Sequence, residues 1–153
     1  MAWSNSKVFG AYLEDTLSGT TAHDLNSDSF KVALYDNDIT PDNTVSSANS
    51  TYESGQWTAA GNEVTSTGEW DTGGVALASL SLTRSSAVVT WDAADTASSA
   101  GATMSDIYGA LVYNTTRSNR GICYNYFGGV SAVSNGTFTV VWNSSGIATF
   151  TAT

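Results

Sequence analysis

Only one stretch of this chain carries a helical period; beyond it, most of the sequence alternates. In residues 7–17, Phe9, Tyr12, Leu13 and Leu17 fall at i, i+3, i+4 and i+8, which is one face of a helix. Ser6 is placed to cap its start and Gly19 to end it. Residues 20–26 are polar and read as a connector. Phe30, Val32 and Leu34 then alternate with Lys31, Ala33 and Tyr35, the pattern of a strand. Further strands are expected over 75–83, 87–91, 107–113, 121–127, 136–142 and 147–151. Ser85-Ser86 and the run Asn143 to Gly146 separate neighbours by hairpin distances. Thr, Val, Tyr and Trp, the good strand formers, dominate these segments. The pattern predicts an all-β domain: a single antiparallel sandwich or open barrel of about seven to eight strands, with a short N-terminal helix. Residues 1–25 are expected to form a helix-and-connector arm, and 26–153 the β domain, interrupted by a long loop over 36–74.

Charge narrows the partners. Charged residues are 12% of the chain, about half the usual share of roughly 25%. Their place is taken by 22 Ser and 21 Thr, so the surface is hydroxyl-rich. Five Lys and Arg stand against 14 Asp and Glu, a net charge of -9. Such a chain repels phosphate backbones and anionic bilayers, so neither nucleic acid nor membrane is expected as a partner. No apolar run approaches the ~20 residues of a membrane span, and the first residues lack the pattern of a signal peptide, so a soluble, non-secreted protein is expected.

Scarcity narrows the chemistry. The chain has one Cys, Cys123, and one His, His23. No internal disulfide and no Cys/His zinc cage can form, and no cofactor is expected. Any triad would have to use His23, yet no Gly-x-Ser-x-Gly elbow is present, so a surface histidine is the simpler reading. Cys123 lies within a strand pattern and reads as a buried thiol. Asp36, Asn37, Asp38, Asp42 and Asn43 could offer oxygens to calcium, but beside Pro41 they read first as turn formers. Glu53, Glu63, Glu69 and Asp71 could pair for glycoside hydrolysis; solvated acids are the plainer expectation. Tyr52, Trp57, Trp70, Tyr124 and Tyr126 could stack on sugar rings, anchor an interface or fill a core. Sequons at Asn49, Asn114, Asn135 and Asn143 are expected to stay bare.

Several segments carry a resemblance. Residues 26–35 (Asn-Ser-Asp-Ser-Phe-Lys-Val-Ala-Leu-Tyr), 107–114 (Ile-Tyr-Gly-Ala-Leu-Val-Tyr-Asn), the Tyr-Phe-Gly within 121–129, residues 134–142 and the closing 142–150 are similar to segments of small virion proteins of tailed bacteriophages. The resemblance is to the head decoration (capsid cement) or minor tail type. It implies a non-enzymatic protein bound to the outside of the major capsid lattice, a homotrimer, made in the host cytoplasm and carried on the virion. Under that reading the arm side chains Trp3, Val8, Phe9, Tyr12, Leu13 and Leu17, with Trp57 and Trp70, are the expected partner-binding residues. The alternative for the arm is that its apolar face covers the chain's own sheet. The other functions weighed are a tail or tail-fibre component binding a host surface, and a carbohydrate-binding module.

Overall fold

The computed structural model describes residues 3–153. In chain order its elements are β1 (Lys7–Val8), α1 (Gly10–Ser18), β2 (Phe30–Tyr35), α2 (Ser47–Ser50), β3 (Glu63–Val64), β4 (Val75–Ala76), β5 (Ser81–Ser85), β6 (Val88–Asp92), β7 (Thr96–Ala97), β8 (Ala102–Asn114), β9 (Arg120–Gly136), β10 (Thr139–Val140) and β11 (Ala148–Thr151). The fold is all-β and antiparallel, is not closed into a barrel, and carries a short helix near its start. Eleven strands are present among the described residues, against seven to eight expected. The excess comes from five two-residue pairings too short to leave a period in the sequence.

The main sheet runs β1-β9-β8-β2-β3, with β4 also pairing β2. Its spine is the hairpin of β8 and β9, whose ladder shifts register four times. Directly paired residues share a face. Lys31, Ala33 and Tyr35 therefore lie with Tyr113, Leu111 and Gly109, while Phe30, Val32 and Leu34 lie with Asn114, Val112 and Ala110. Both faces of β2 are covered, because two different layers pack on them.

Trp3, Phe9 and the segment 44–74 cover the first face. Trp57 meets Trp3, Phe9, Tyr35 and Tyr124 with ring centroids 5.1–6.1 Å apart. Tyr52 stacks on Tyr113 at 4.6 Å and 9°. The expected loop over 36–74 is thus an aromatic layer pinned by its own residues. Gly74, at φ 75, brings that layer so close that a Cβ would fall on the Val32 carbonyl. A separate three-stranded sheet, β11-β6-β5, covers the second face. There Trp91 packs on Phe30 at 4.9 Å and donates its indole N–H to Leu25 O at 2.9 Å.

The N-terminal segment is not an arm. Lys7 and Val8 pair with Tyr124 and Cys123 as the edge strand β1, and Phe9 N–H donates to Ile122 O just beyond it. This moves the helix start from the expected Lys7 to Gly10. Ser6 does not cap it; its hydroxyl accepts from Tyr126 N–H instead. Gly19 ends the helix as expected, in the left-handed region at φ 73. The expected strand over 136–142 shrinks to β10, which pairs with β7.

Candidate docking groove

The three-stranded sheet overhangs the main sheet. One face of it carries Leu82, Arg84, Val89, Trp91, Ala148 and Phe150, as the registers Leu82↔Trp91, Arg84↔Val89, Ala148↔Trp91 and Phe150↔Val89 require, with Leu82 and Arg84 exposed. Trp91 is buried on Phe30. Leu82, Val89 and Phe150 reach past the main sheet toward α1. Between them and Tyr12, Leu13, Thr16 and Leu17 lies a groove of about 530 Å³, closed at one end by His23, Asp24 and Leu25. Its rim holds three of the large exposed apolar side chains, Leu13 (39% exposed), Leu17 (86%) and Leu82 (37%).

The two walls differ in charge. α1 carries Glu14 and Asp15 and no basic residue, and none in its last turn. Across the groove, Arg84 is the one charged residue between Asp71 and Asp92. It is exposed, and it donates from Nη1 to Ser86 O at the hairpin tip, 2.9 Å away.

A polar network anchors the groove's closed end. Arg117 N–H donates to Asn114 Oδ1 at 3.1 Å, which orients the amide of the fully buried Asn114. Asn114 Nδ2 then donates to Asp28 Oδ2 at 2.8 Å and to His23 Nδ1 at 3.0 Å. An accepting Nδ1 places the ring proton of neutral His23 on Nε2, which is buried with no partner. Tyr12 packs edge-on against the ring at 5.1 Å. Burial holds the His23 pKa below the ordinary 6.5; Asp15 and Asp28 oppose this, and Arg117 and Arg120 add to it. Burial works against the Asp28 carboxylate, but Asn114, the Asp24 N–H and Arg117 (Nε to Oδ2, 3.1 Å) outweigh it and hold its pKa below the usual range. Arg120 Nη1 lies 3.7 Å from Asp15 Oδ2.

Of the eight expected partner-binding residues, the structure turns five inward. Trp3, Phe9, Tyr12, Trp57 and Trp70 are 0–5% exposed and belong to the core. The physical reason differs by residue: Trp3 and Phe9 are drawn in beside the β1 pairing, Tyr12 packs on His23 and Phe150, Trp57 on Tyr35 and Trp70 on Phe138. Val8 is half-buried at the sheet edge. Leu13 and Leu17 alone face outward, and both border the groove. Tyr52 and Tyr124 are also buried, so the aromatics 52, 57, 70 and 124 present no open ring face to a sugar.

The remaining candidates are engaged locally. Glu53 accepts from Ala59 N–H, Glu69 from Ser66 O–H and Asp71 from Gly68 N–H. Glu63 accepts from Tyr52 O–H and Gly73 N–H, and burial raises its pKa. Asp36 and Asp42 accept from the N–H groups of Asp38 and Thr44, as turn formers do. Among the described residues no group of three or more His, Cys, Asp or Glu gathers as a metal site. His23 is half-buried, contrary to the expected surface position, because Tyr12 and Asn114 close over it. Cys123 is buried, and burial pushes its thiol up to about 12. Asn114 is closed to glycosylation by burial.

Sequence reasoning misses Leu82, Val89 and Phe150. Each looks like an ordinary inward strand residue, and only the packing of the small sheet beside α1 gathers them along the groove. Compared with protein-family models, curated proteins and solved structures, the chain returns no match.

Proposed function

We propose that this is a non-catalytic structural protein of a tailed-phage virion, one that decorates the outer surface of the head by binding the major capsid protein. The observation that supports the reading is the leucine-rimmed groove on a molecule whose surface is otherwise hydroxyl-rich and sparsely charged. An exposed apolar feature of this kind is a contact surface more than a reaction site. A net charge of -9 suits an exterior position and opposes one beside packaged DNA. Decoration would act by linkage: a protein that binds only the expanded shell stabilises it against internal pressure by mass action.

The test is to add the purified chain to tailed-phage heads stripped of decoration and measure occupancy and resistance to heat. Saturable binding at hundreds of copies per head, with a raised bursting temperature, supports the reading. A few copies confined to the tail would move the protein to a tail component. No binding to heads or tails would overturn both.

A further inference from the structure

We infer that the groove between α1 and the β5–β6 hairpin seats a second copy of this chain, with the C-terminal end of one copy's α1 lying across the hairpin of the next. The inference rests on the reading above for its biological setting, but its geometry stands without a capsid.

Three observations choose a second copy over a foreign segment. Leu17 projects from the last turn of α1 at 86% exposure, and no side chain of its own copy covers it. The groove beside it is apolar, walled by Tyr12, Leu82, Val89 and Phe150, and open to receive such a side chain. The charges of the two walls are also opposite and segregated. On the helix wall the exposed charge is Glu14; on the groove-facing side of the hairpin it is Arg84, since Asp92 lies on the opposite face. A helix C-terminus is itself partially negative and favours a cation, and α1 supplies none in its last turn. Arg84 of a neighbouring copy meets that need when Leu17 enters the groove, and Glu14 gives it a carboxylate. Within one copy the same Arg84 bonds to its own hairpin tip.

The overall charge of -9 per copy opposes assembly at low salt. At 0.15 M the Debye length is about 8 Å, so distant charges are screened while the pair at the contact is not. The contact should therefore persist at physiological salt and weaken in very dilute buffer.

The experiment is sedimentation equilibrium of the full chain in physiological salt, from about 1 µM to 1 mM. The variants are Leu17→Asp, Glu14→Lys, Arg84→Glu and the double Glu14→Lys/Arg84→Glu. All three positions are exposed, and circular dichroism on each variant checks that the fold is kept. The expected result is reversible association of the native chain, lost in Leu17→Asp. Each single charge reversal should weaken it about five- to tenfold, and the double reversal should recover most of the loss. A native chain that stays monomeric throughout overturns the inference. So does association that Leu17→Asp leaves unchanged, or a double variant no better than the singles. If the chain is monomeric yet still coats stripped heads, the inference falls and the decoration reading stands. If it self-associates as described but ignores heads, the reverse holds.

Discussion

Gly109 shows how one missing side chain positions a terminus. A Cβ there would collide with the Trp3 ring and with Asn125 O, so the indole packs directly against the backbone of β8. From that seat Trp3 donates its N–H to Asp36 O at 2.7 Å. Gly109→Ala should cost about 1–3 kcal/mol by overpacking, visible as a lower denaturation midpoint with an unchanged m-value. Trp3→Ala should cost more, about 3–5 kcal/mol, because the ring is wholly buried. His23 gives a prediction of opposite character. Its folded pKa lies below the unfolded 6.5, so neutral His23 contributes stability that is present above pH 6.5 and lost as pH falls through the folded value. Protonation would also put a donor on Nδ1, facing the amide donor of Asn114. Thermal melts should therefore show a midpoint that declines below about pH 6.5. His23→Gln, which keeps an acceptor toward Asn114 and cannot ionise, should flatten that part of the profile. A decline that survives the substitution would assign it to other groups. The carboxylate of Asp28 acts lower on the scale: its depressed pKa gives stability present above the ordinary 3.8 and lost as pH falls through its folded value.

At the scale of elements, legibility follows periodicity. The strand over residues 30–35 is legible to the residue as β2, and β6 and β11 nearly so, because each alternates and ends at a turn cluster. The segment 44–74 is not legible. It is held in place by Tyr52, Trp57 and Trp70, isolated aromatics among Ser, Thr and Gly, and such spacing has no period to detect. The start of α1 departs from its periodicity because pairing of Lys7 and Val8 with β9 outcompetes the helix there, a tertiary effect absent from local sequence. Half of the candidate groove is visible in the sequence, in Leu13 and Leu17; the other half depends on how far the small sheet overhangs. The integration of the first residues yields a prediction. Deleting residues 1–9 removes Trp3, Phe9 and the β1 pairing together, and should leave a chain without a cooperative thermal transition. A truncated chain that melts cooperatively near the native midpoint would restore the detachable arm.

Over the whole molecule, protection is graded. β2 is covered on both faces and paired on both sides, so its amides can exchange only through global opening. The distal half of β9 alternates between exposed and half-buried, with Val130 at 58% exposure. Hydrogen exchange should accordingly be slowest over residues 30–35 and 110–113, and at least ~100-fold faster over 128–135. Uniform protection along β9 would mean that this outer ribbon is covered in solution.

One contact ties the extremes of the chain together. The ring of Phe150 lies 6.1 Å from that of Tyr12, and β11 completes the small sheet only through residues 148–151. Synthesis runs from the N-terminus, so the helix is made well before β11, and its apolar face waits for all the strands between them. Residue 150 must also clear the exit tunnel before the groove exists. Until then the nascent chain shows an unfinished hydrophobic strip in place of the groove. The groove is therefore a late product of folding, and nothing can engage it before residues 148–151 have joined the small sheet.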